Sequence, residues 1–389
     1  MLTEPSFFQL VPEVHYGRGV AASAGGLAKA QGIRHALVVT DPGVLGAGVC
    51  EPVLSALRDE GVAVTVFSDL ATNPSEKQVA AAAEAYVAAG CDGVLGVGGG
   101  SSMDVAKCAA TVVASGGADI REFEDGARAP GSPVPPLVLV PTTSGTGSEV
   151  VAGAIITDSA RVFKMHVVAV PAQVALCDPE LTAGLPPGPT AASGIDALAH
   201  AIGAYTSSER QPLTDGMALY AISVISRWLP VAVADGADLE AREWMTIGSL
   251  AAGISMKGGG AADHAFAHAV NALFDVHHGV GVGLFLAEAM EFNLPYLAGR
   301  LAAVARAMGV ADHGTDDYVA AKSAVAAVRE LVEKCGIPGA AELGVREEHI
   351  GPLVAKVLED GFHLGLNPVA LSTEDIRRVV AKVAGEGSR

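Results

Sequence analysis

The sequence predicts two domains of different texture: an N-terminal α/β domain with a mostly parallel sheet at residues 1–186, and an all-α domain at 187–389. Three observations predict this division. Short apolar runs alternate with amphipathic segments through the first half, as a parallel sheet covered by helices requires. One of those runs ends in three glycines and opens directly into a helical pattern. Beyond Leu181 the β-branched runs stop, and a rigid stretch, LPPGPT at 185–190, precedes segments of helical spacing only.

Taken in order, HALVVT at 35–40 reads as a strand ending at Asp41-Pro42-Gly43, and residues 48–58 have helical spacing. VAVTVF at 62–67 is the next strand, residues 75–89 the next helix, and GVLGV at 93–97 the strand that enters the glycines. PPLVLV at 135–140 is a further strand, ending at Pro141-Thr142-Thr143. Ligand contacts in such a sheet belong at the carboxyl ends of the strands. Helices are expected in the second half at 191–206, 214–229, 241–256, 299–308, 317–335 and 374–384, with 385–389 as a frayed end.

With 389 residues, half of them hydrophobic, the chain is long enough for two cores. Lys plus Arg number 25 against 43 Asp plus Glu, and the resulting net charge of −18 repels phosphate backbones and anionic lipid, so neither nucleic acid nor membrane is an expected partner. The mean hydropathy of +0.39 comes from Ala, Val and Gly spread along the chain. The first fourteen residues show no basic region before an apolar run, and no signal peptide is expected. Cys50, Cys91, Cys108, Cys177 and Cys335 form no close pair, which fits buried thiols in a reducing, cytoplasmic compartment.

The glycine segment, VLGVGGGSSMDVAK at 94–107, is a credible pyrophosphate cradle. Gly98, Gly99 and Gly100 let backbone approach a phosphate, and Ser101, Ser102 and the first helical amides offer donors. Its spacing is neither GxGxxG nor GxxxxGK[ST], and a tight turn for helix packing is the competing reading. PTTSGTGSEV at 141–150 places Thr142, Thr143, Ser144, Thr146 and Ser148 where hydroxyls can meet ribose or phosphate, although a polar turn explains it equally well. Asp41 can accept from both ribose hydroxyls and repel a 2′-phosphate, favouring NAD over NADP; the plain alternative is an Asx turn. Lys164, in RVFKMHVVAVP, either holds cofactor or snorkels to solvent.

Asp196 and His200 lie one helical turn apart in GIDALAHAIGAYTS, and His264 and His268 repeat that spacing in ADHAFAHAVNALFDVHHG, followed by His277 and His278. Taken singly these are hydrogen-bonded pairs on helix faces, or an anion pocket. Clustered in a weakly charged helical domain, so many buried polar rings need a partner, and a metal is the economical one. Imidazoles with one carboxylate suit Zn²⁺ or Fe²⁺ better than Mg²⁺ or Ca²⁺. Spacing does not choose between His264 and His268.

These segments, with ITDSARVFK at 156–164, CDPELTAGLP at 177–186 and AMEFN at 289–293, resemble the iron-containing, or group III, alcohol dehydrogenases over nearly the whole chain. The resemblance implies a Rossmann-like nucleotide domain and an all-helical domain in a dehydroquinate-synthase-like architecture, with dinucleotide and metal in the cleft between. It implies Asp196, His200, His264 and His278 as ligands of Fe²⁺, with Zn²⁺ or another divalent metal as substitute, and His268 as a non-ligand beside nicotinamide and substrate. Asp41, Asn73, Gly98, Gly99, Gly100, Ser101, Thr142, Thr143 and Lys164 become cofactor contacts, and Asp104 positions the helix after the glycine loop.

The implied activity is hydride transfer between NAD(H) and a small alcohol or aldehyde by a homodimer or larger homo-oligomer. The metal polarises the substrate oxygen, and His268 relays the proton, with His277 as the alternative relay. Gly203 stands where the family has glutamate, HAFAHAVN replaces an HAMAHPLG-type pattern, and His277 replaces the usual proline. Gly281, Gly283, residues 257–260 and Asp263 depart as well, which places the substrate wall in question. Lys257 could pair with the carboxylate or phosphonate of an acidic aldehyde, semialdehyde or oxoacid. A hydroxyacid–oxoacid transhydrogenase, a cyclase that retains NAD, and a helical interaction protein without activity are the remaining alternatives.

Overall fold

The computed structural model describes residues 8–385, so the expected frayed end beyond Gly385 and the first seven residues fall outside the description. Contacts divide the chain at residue 185/186 into two compact units.

In the first unit the strands are β1 (Glu13–Tyr16), β2 (His35–Val39), β3 (Ala63–Phe67), β4 (Gly93–Gly98), β5 (Leu137–Pro141), β6 (Gly153–Asp158), β7 (Phe163–Val168) and β8 (Val174–Cys177). Six of them form a parallel sheet in the order β1-β8-β5-β4-β2-β3. Its helices are α1 (Ala24–Ala30), α2 (Pro42–Gly46), α3 (Glu51–Asp59), α4 (Glu76–Ala89) and α5 (Gly100–Ala114). Strand parity assigns the two faces. Leu37, Val39, Val94, Leu137 and Leu139 pack with α4 and α5, whereas Ala36, Val38, Leu95, Val97, Val138 and Val140 pack with α1 and α3. Both faces are thereby dry, which is why these strands read as continuous apolar runs.

Local signals set the boundaries. Pro52 sits in the first turn of α3, Ser75 and Gln78 form a capping box on α4, and Gly90, at φ 66°, ends α4 in the left-handed region. Chain order reverses between β2 and β4, so the carboxyl ends of β2, β4 and β5 lie side by side at a switch point. Gly98 pairs with Pro141, and the two loops of interest therefore leave neighbouring strand ends.

Two parts of this unit were not expected. β1 and β8 are four-residue strands too short to show a pattern. β6 and β7 form a separate antiparallel hairpin whose Ala154, Ile156, Met165 and Val167 pack into the α4/α5 core.

The second unit is helical: α6 (Pro187–Thr206), α7 (Pro212–Ala234), α8 (Leu239–Ser255), α9 (Asp263–Phe274), α10 (His278–Ala307), α11 (Asp317–Lys334), α12 (Ile350–Glu359), α13 (Gly361–Leu366) and α14 (Thr373–Gly385). The helix expected at 299–308 is the far end of α10, which kinks at Leu297, two residues after Pro295. α6 runs through the core and is buried on nearly every side from Thr190 to Thr206. α7 is the one described helix long and apolar enough to cross a membrane, yet its Ala218, Ala221, Ile222, Ile225 and Leu229 are buried in the core with α6.

Candidate metal centre and cofactor loops

Asp196 and His200 project from one face of α6, His264 from the first turn of α9, and His278 from the first residue of α10. The Nε2 atoms of His200, His264 and His278 stand 3.7, 3.6 and 3.4 Å from a single atom, Asp196 Oδ1. Asp196 is 2% exposed, and neither its Oδ1 nor His264 Nε2 has a hydrogen-bond partner among the described residues. Buried polar atoms left unpaired cost about 1–3 kcal/mol each, so these two, with two further imidazoles turned towards them, call for a partner. Ligands ~2.1 Å from a tetrahedral ion lie roughly 3.4 Å from one another, which is the spacing seen here. The set fits a divalent ion of the Fe²⁺ or Zn²⁺ kind.

The electrostatics suit that occupant. Burial works to raise the Asp196 carboxyl, but the imidazoles of His200 and His278 outweigh it and hold the group well below the usual carboxylate range. Burial pushes His200 down to about 4 and keeps it neutral, the state in which an imidazole can bind a metal. His264 behaves oppositely: burial works to lower it, but Asp263 and Asp196 outweigh burial and push it up to about 10, so an incoming ion displaces a proton there.

His268 lies one turn along α9 from His264 and faces a different carboxylate. Its Nδ1 is 2.8 Å from Asp360 Oδ2, and burial pushes the ring down to about 3. His200 and His268 together set a pH dependence for the metal-free protein. Unfolded imidazoles take up protons below about pH 6.5, while these two refuse them until about 4 and 3. Stability of chelator-treated protein therefore declines as pH falls from about 6.5 towards 4, as urea unfolding at pH 7 and pH 5 will read. His264, raised in the fold, acts the other way and only above about pH 6.5.

His277 caps the start of α10 and is exposed. Lys257 is half-buried in the turn after α8, and burial lowers its ammonium. Three residues that sequence reading did not single out as site residues belong here. Asp263, 1% exposed, accepts from His264 Nδ1 at 3.2 Å and lines a small cavity with Gly203, Thr206 and Asn293. Two departures from the family pattern, Gly203 and Asp263, thus meet at one place. Asp360 and His363 carried no motif at all.

In the first unit, Gly98 stands at φ 154°, where a Cβ would meet Ser102 Oγ at 2.4 Å, and a Cβ on Gly100 would meet Thr146 Cγ2 at 2.8 Å. Close packing thus explains part of the glycine run. Gly99 caps α5 without a side-chain acceptor, leaving the first amides of a 15-residue helix unmet by any side chain at the cap. Thr143 Oγ1 is buried without a hydrogen-bond partner among the described residues, and a Cβ on Gly99 would meet Thr143 Cγ2 at 3.4 Å, so this hydroxyl borders the helix end. Phosphate oxygens fit both sets of donors. The Thr142 amide is bonded to the Gly98 carbonyl at 2.9 Å, which fixes the second loop against the first.

Asp41 does two things at once. Oδ1 caps α2 through Val44 N at 3.0 Å, and Oδ2 accepts from Ser102 Oγ at 3.3 Å beside the glycine loop. Ser101 Oγ is spent on the Thr72 carbonyl at 2.6 Å, leaving its amide for a ligand. Lys164 does not snorkel: it is 8% exposed, and its Nζ donates to Asn73 Oδ1 at 2.7 Å and Thr157 Oγ1 at 3.0 Å. Asp104 ties α5 to the second loop and to β6 through Ser148 Oγ at 2.6 Å and Ile155 N at 2.9 Å.

Residues 12–179 match the family described as iron-containing alcohol dehydrogenase, and 190–384 match the C-terminal region of the Fe-containing alcohol dehydrogenase family. The chain belongs to the iron-containing alcohol dehydrogenase family. This dehydrogenase is 38% identical to a choline dehydrogenase of Bacillus subtilis (strain 168), across 93% of this chain and 90% of that one. It is 36% identical to an NAD-dependent methanol dehydrogenase of Bacillus methanolicus, across 96% and 98%. A crystal structure of 1,3-propanediol oxidoreductase superposes with a TM-score of 0.92 at 31% identity, covering 98% of this chain and all of the other. The dehydrogenase is an oxidoreductase of alcohols and aldehydes with a metal-binding helical unit.

Proposed function

We propose that this dehydrogenase holds one Fe²⁺ or Zn²⁺ with Asp196, His200, His264 and His278 and interconverts a small alcohol and its aldehyde at that centre. The observation that carries the reading is the convergence of three imidazole Nε2 atoms on the unpartnered Asp196 Oδ1. NAD and a divalent metal are its cofactors. When bound, the ion supplies Lewis acidity to the substrate oxygen and NAD⁺ supplies the hydride acceptor.

The chain's own residues do the rest. Residues 1–186 form the nucleotide domain in this reading, and 187–389 the metal and substrate domain. The amides and hydroxyls at Gly98, Gly99, Gly100, Ser101, Thr142 and Thr143 receive the pyrophosphate, with Asn73 and Lys164 as further cofactor contacts and Asp41 selecting the unphosphorylated ribose. His268 takes or returns the hydroxyl proton, and His277, exposed at the start of α10, is the second relay towards solvent.

Asp263 orients His264 so that Nε2 faces Asp196. Replacing such an outer partner costs about 10–100-fold in metal affinity. Asp263→Asn is therefore expected to weaken Zn²⁺ binding by that factor in a competition titration against a chromogenic chelator. A homodimer or larger homo-oligomer in the cytoplasm completes the proposal, in keeping with five buried free cysteines.

The test is NADH formation at 340 nm over alcohols, diols and hydroxyacids, after chelation and after reloading with Fe²⁺ or Zn²⁺, with NADP⁺ in parallel. Growth of absorbance that needs both metal and NAD⁺ supports the reading. Silence with every substrate, metal and cofactor, in both directions, contradicts it.

A further inference from the structure

Beyond the four proposed ligands, the helical unit contains a second constellation, built around His268, in which Asp360 and His363 have no role in the reaction as described. Asp360 Oδ2 lies 2.8 Å from His268 Nδ1, and His363 Nδ1 lies 3.0 and 2.9 Å from the two Asp360 oxygens. Asp360 Oδ1 also accepts from the His363 backbone N–H at 3.0 Å. The Asp360 side chain is 5% exposed, so these contacts are what compensate its burial. His268 Nε2, by contrast, is buried with no hydrogen-bond partner among the described residues. The His268 ring centroid stands 5.2 Å from that of His278, on the side of the metal centre.

The tautomer follows from donor and acceptor chemistry. An ionised carboxylate only accepts, so the ring nitrogen facing it carries the proton. A neutral imidazole has one ring proton; with it on Nδ1, Nε2 presents a bare lone pair. The same three residues also have the composition of a cation site. Their geometry argues otherwise. Both Asp360 oxygens already sit at ordinary hydrogen-bond length from ring nitrogens, whereas Asp196 Oδ1 has no such bond and stands 3.4 to 3.7 Å from its three neighbours.

We propose that Asp360, clamped by His363, is a positioning residue that locks His268 with Nδ1–H turned away and Nε2 bare, so that the site addresses a hydroxyl donor. This rests on the reading of His268 as the group that meets the substrate. A lone pair at that point accepts from an alcohol or diol and opposes a carboxylate or phosphonate. The group that the substrate presents to His268 is therefore a hydroxyl, whatever the rest of the molecule carries.

The test uses ¹⁵N-histidine-labelled, Zn²⁺-loaded protein, with His268→Gln to assign the His268 signals in long-range ¹H–¹⁵N spectra. The expected wild-type result is protonated Nδ1 and unprotonated Nε2. Asp360→Asn, which offers its amide N–H₂ to Nδ1, is expected to shift His268 towards the other tautomer. It should also lower kcat for alcohol oxidation by ~10²–10⁴-fold with bound zinc per chain unchanged. His363→Gln, which loosens one clamp and spares the carboxylate, is expected to lose less. A wild-type His268 protonated on Nε2 overturns the proposal without any variant, as does an Asp360→Asn protein with His268 signals and kcat unaltered. Protonated Nδ1 in a protein that oxidises no alcohol would leave the lock standing and remove the functional reading instead.

Discussion

Asp196→Ala is expected to be purified without bound metal and without alcohol oxidation. Asp196 contributes the only anionic atom of the proposed ligand set, and the other three side chains are arranged around that atom, not around one another. Losing it leaves three imidazoles, and of the two carboxylates that raise His264 only Asp263 remains. The loss in affinity must exceed what an outer partner costs, so ~100-fold or more is expected. A Lewis acid is worth several kcal/mol of transition-state stabilisation, and at 1.36 kcal/mol per tenfold the rate falls by roughly 10³-fold or more. Metal content by elemental analysis, with kcat measured at saturating Zn²⁺, checks both parts. Full metal occupancy in this variant would remove Asp196 from the site.

Gly279→Ala is expected to damage the same centre without changing a ligand. A Cβ at Gly279 would lie 2.0 Å from the Ala192 carbonyl oxygen and 2.5 Å from its carbonyl carbon, both in the backbone of α6. Neither atom belongs to a flexible side chain that can swing aside, so the first turn of α10 has to move off α6. His278 is the preceding residue and Asp196 lies one turn beyond Ala192, so that movement opens the 3.4 Å approach of His278 to Asp196. Overpacking of this kind costs about 1–3 kcal/mol, and zinc affinity is expected to fall with it. Gly216→Ala is the control: it lies in α7, where a Cβ meets nothing within 4 Å, and it should be neutral or slightly stabilising. Urea unfolding and a zinc titration on the two variants separate the outcomes.

Much of this architecture is written in local pattern. The runs at 35–40, 93–97 and 135–140 are apolar because both faces of the sheet are covered there, and together with 62–67, which forms the half-exposed edge strand, they lie within one or two residues of β2, β4, β5 and β3. Asp196 with His200, and His264 with His268, are legible because a helix repeats its face every four residues. The same periodicity is blind to which histidine of the second pair faces Asp196. Only packing decides that: His264 Nε2 points at Asp196 Oδ1, and His268 Nδ1 is engaged by Asp360, 92 positions further on.

Asp360 and His363 escaped notice for the same reason. In the sequence Asp360 is an ordinary helix cap before a short helix, and nothing local connects it to α9. Local pattern does not reveal the β6–β7 hairpin, because two six-residue runs joined by a polar turn look like strand candidates of any kind until their partner is known.

The most direct test of the account is anomalous diffraction from crystals of the reloaded enzyme, collected on both sides of the iron or zinc edge. The account predicts one strong peak per chain, bounded by Asp196 Oδ1 and the Nε2 atoms of His200, His264 and His278. A peak among His268, Asp360 and His363, or none in protein that oxidises alcohols with NAD⁺, would contradict it.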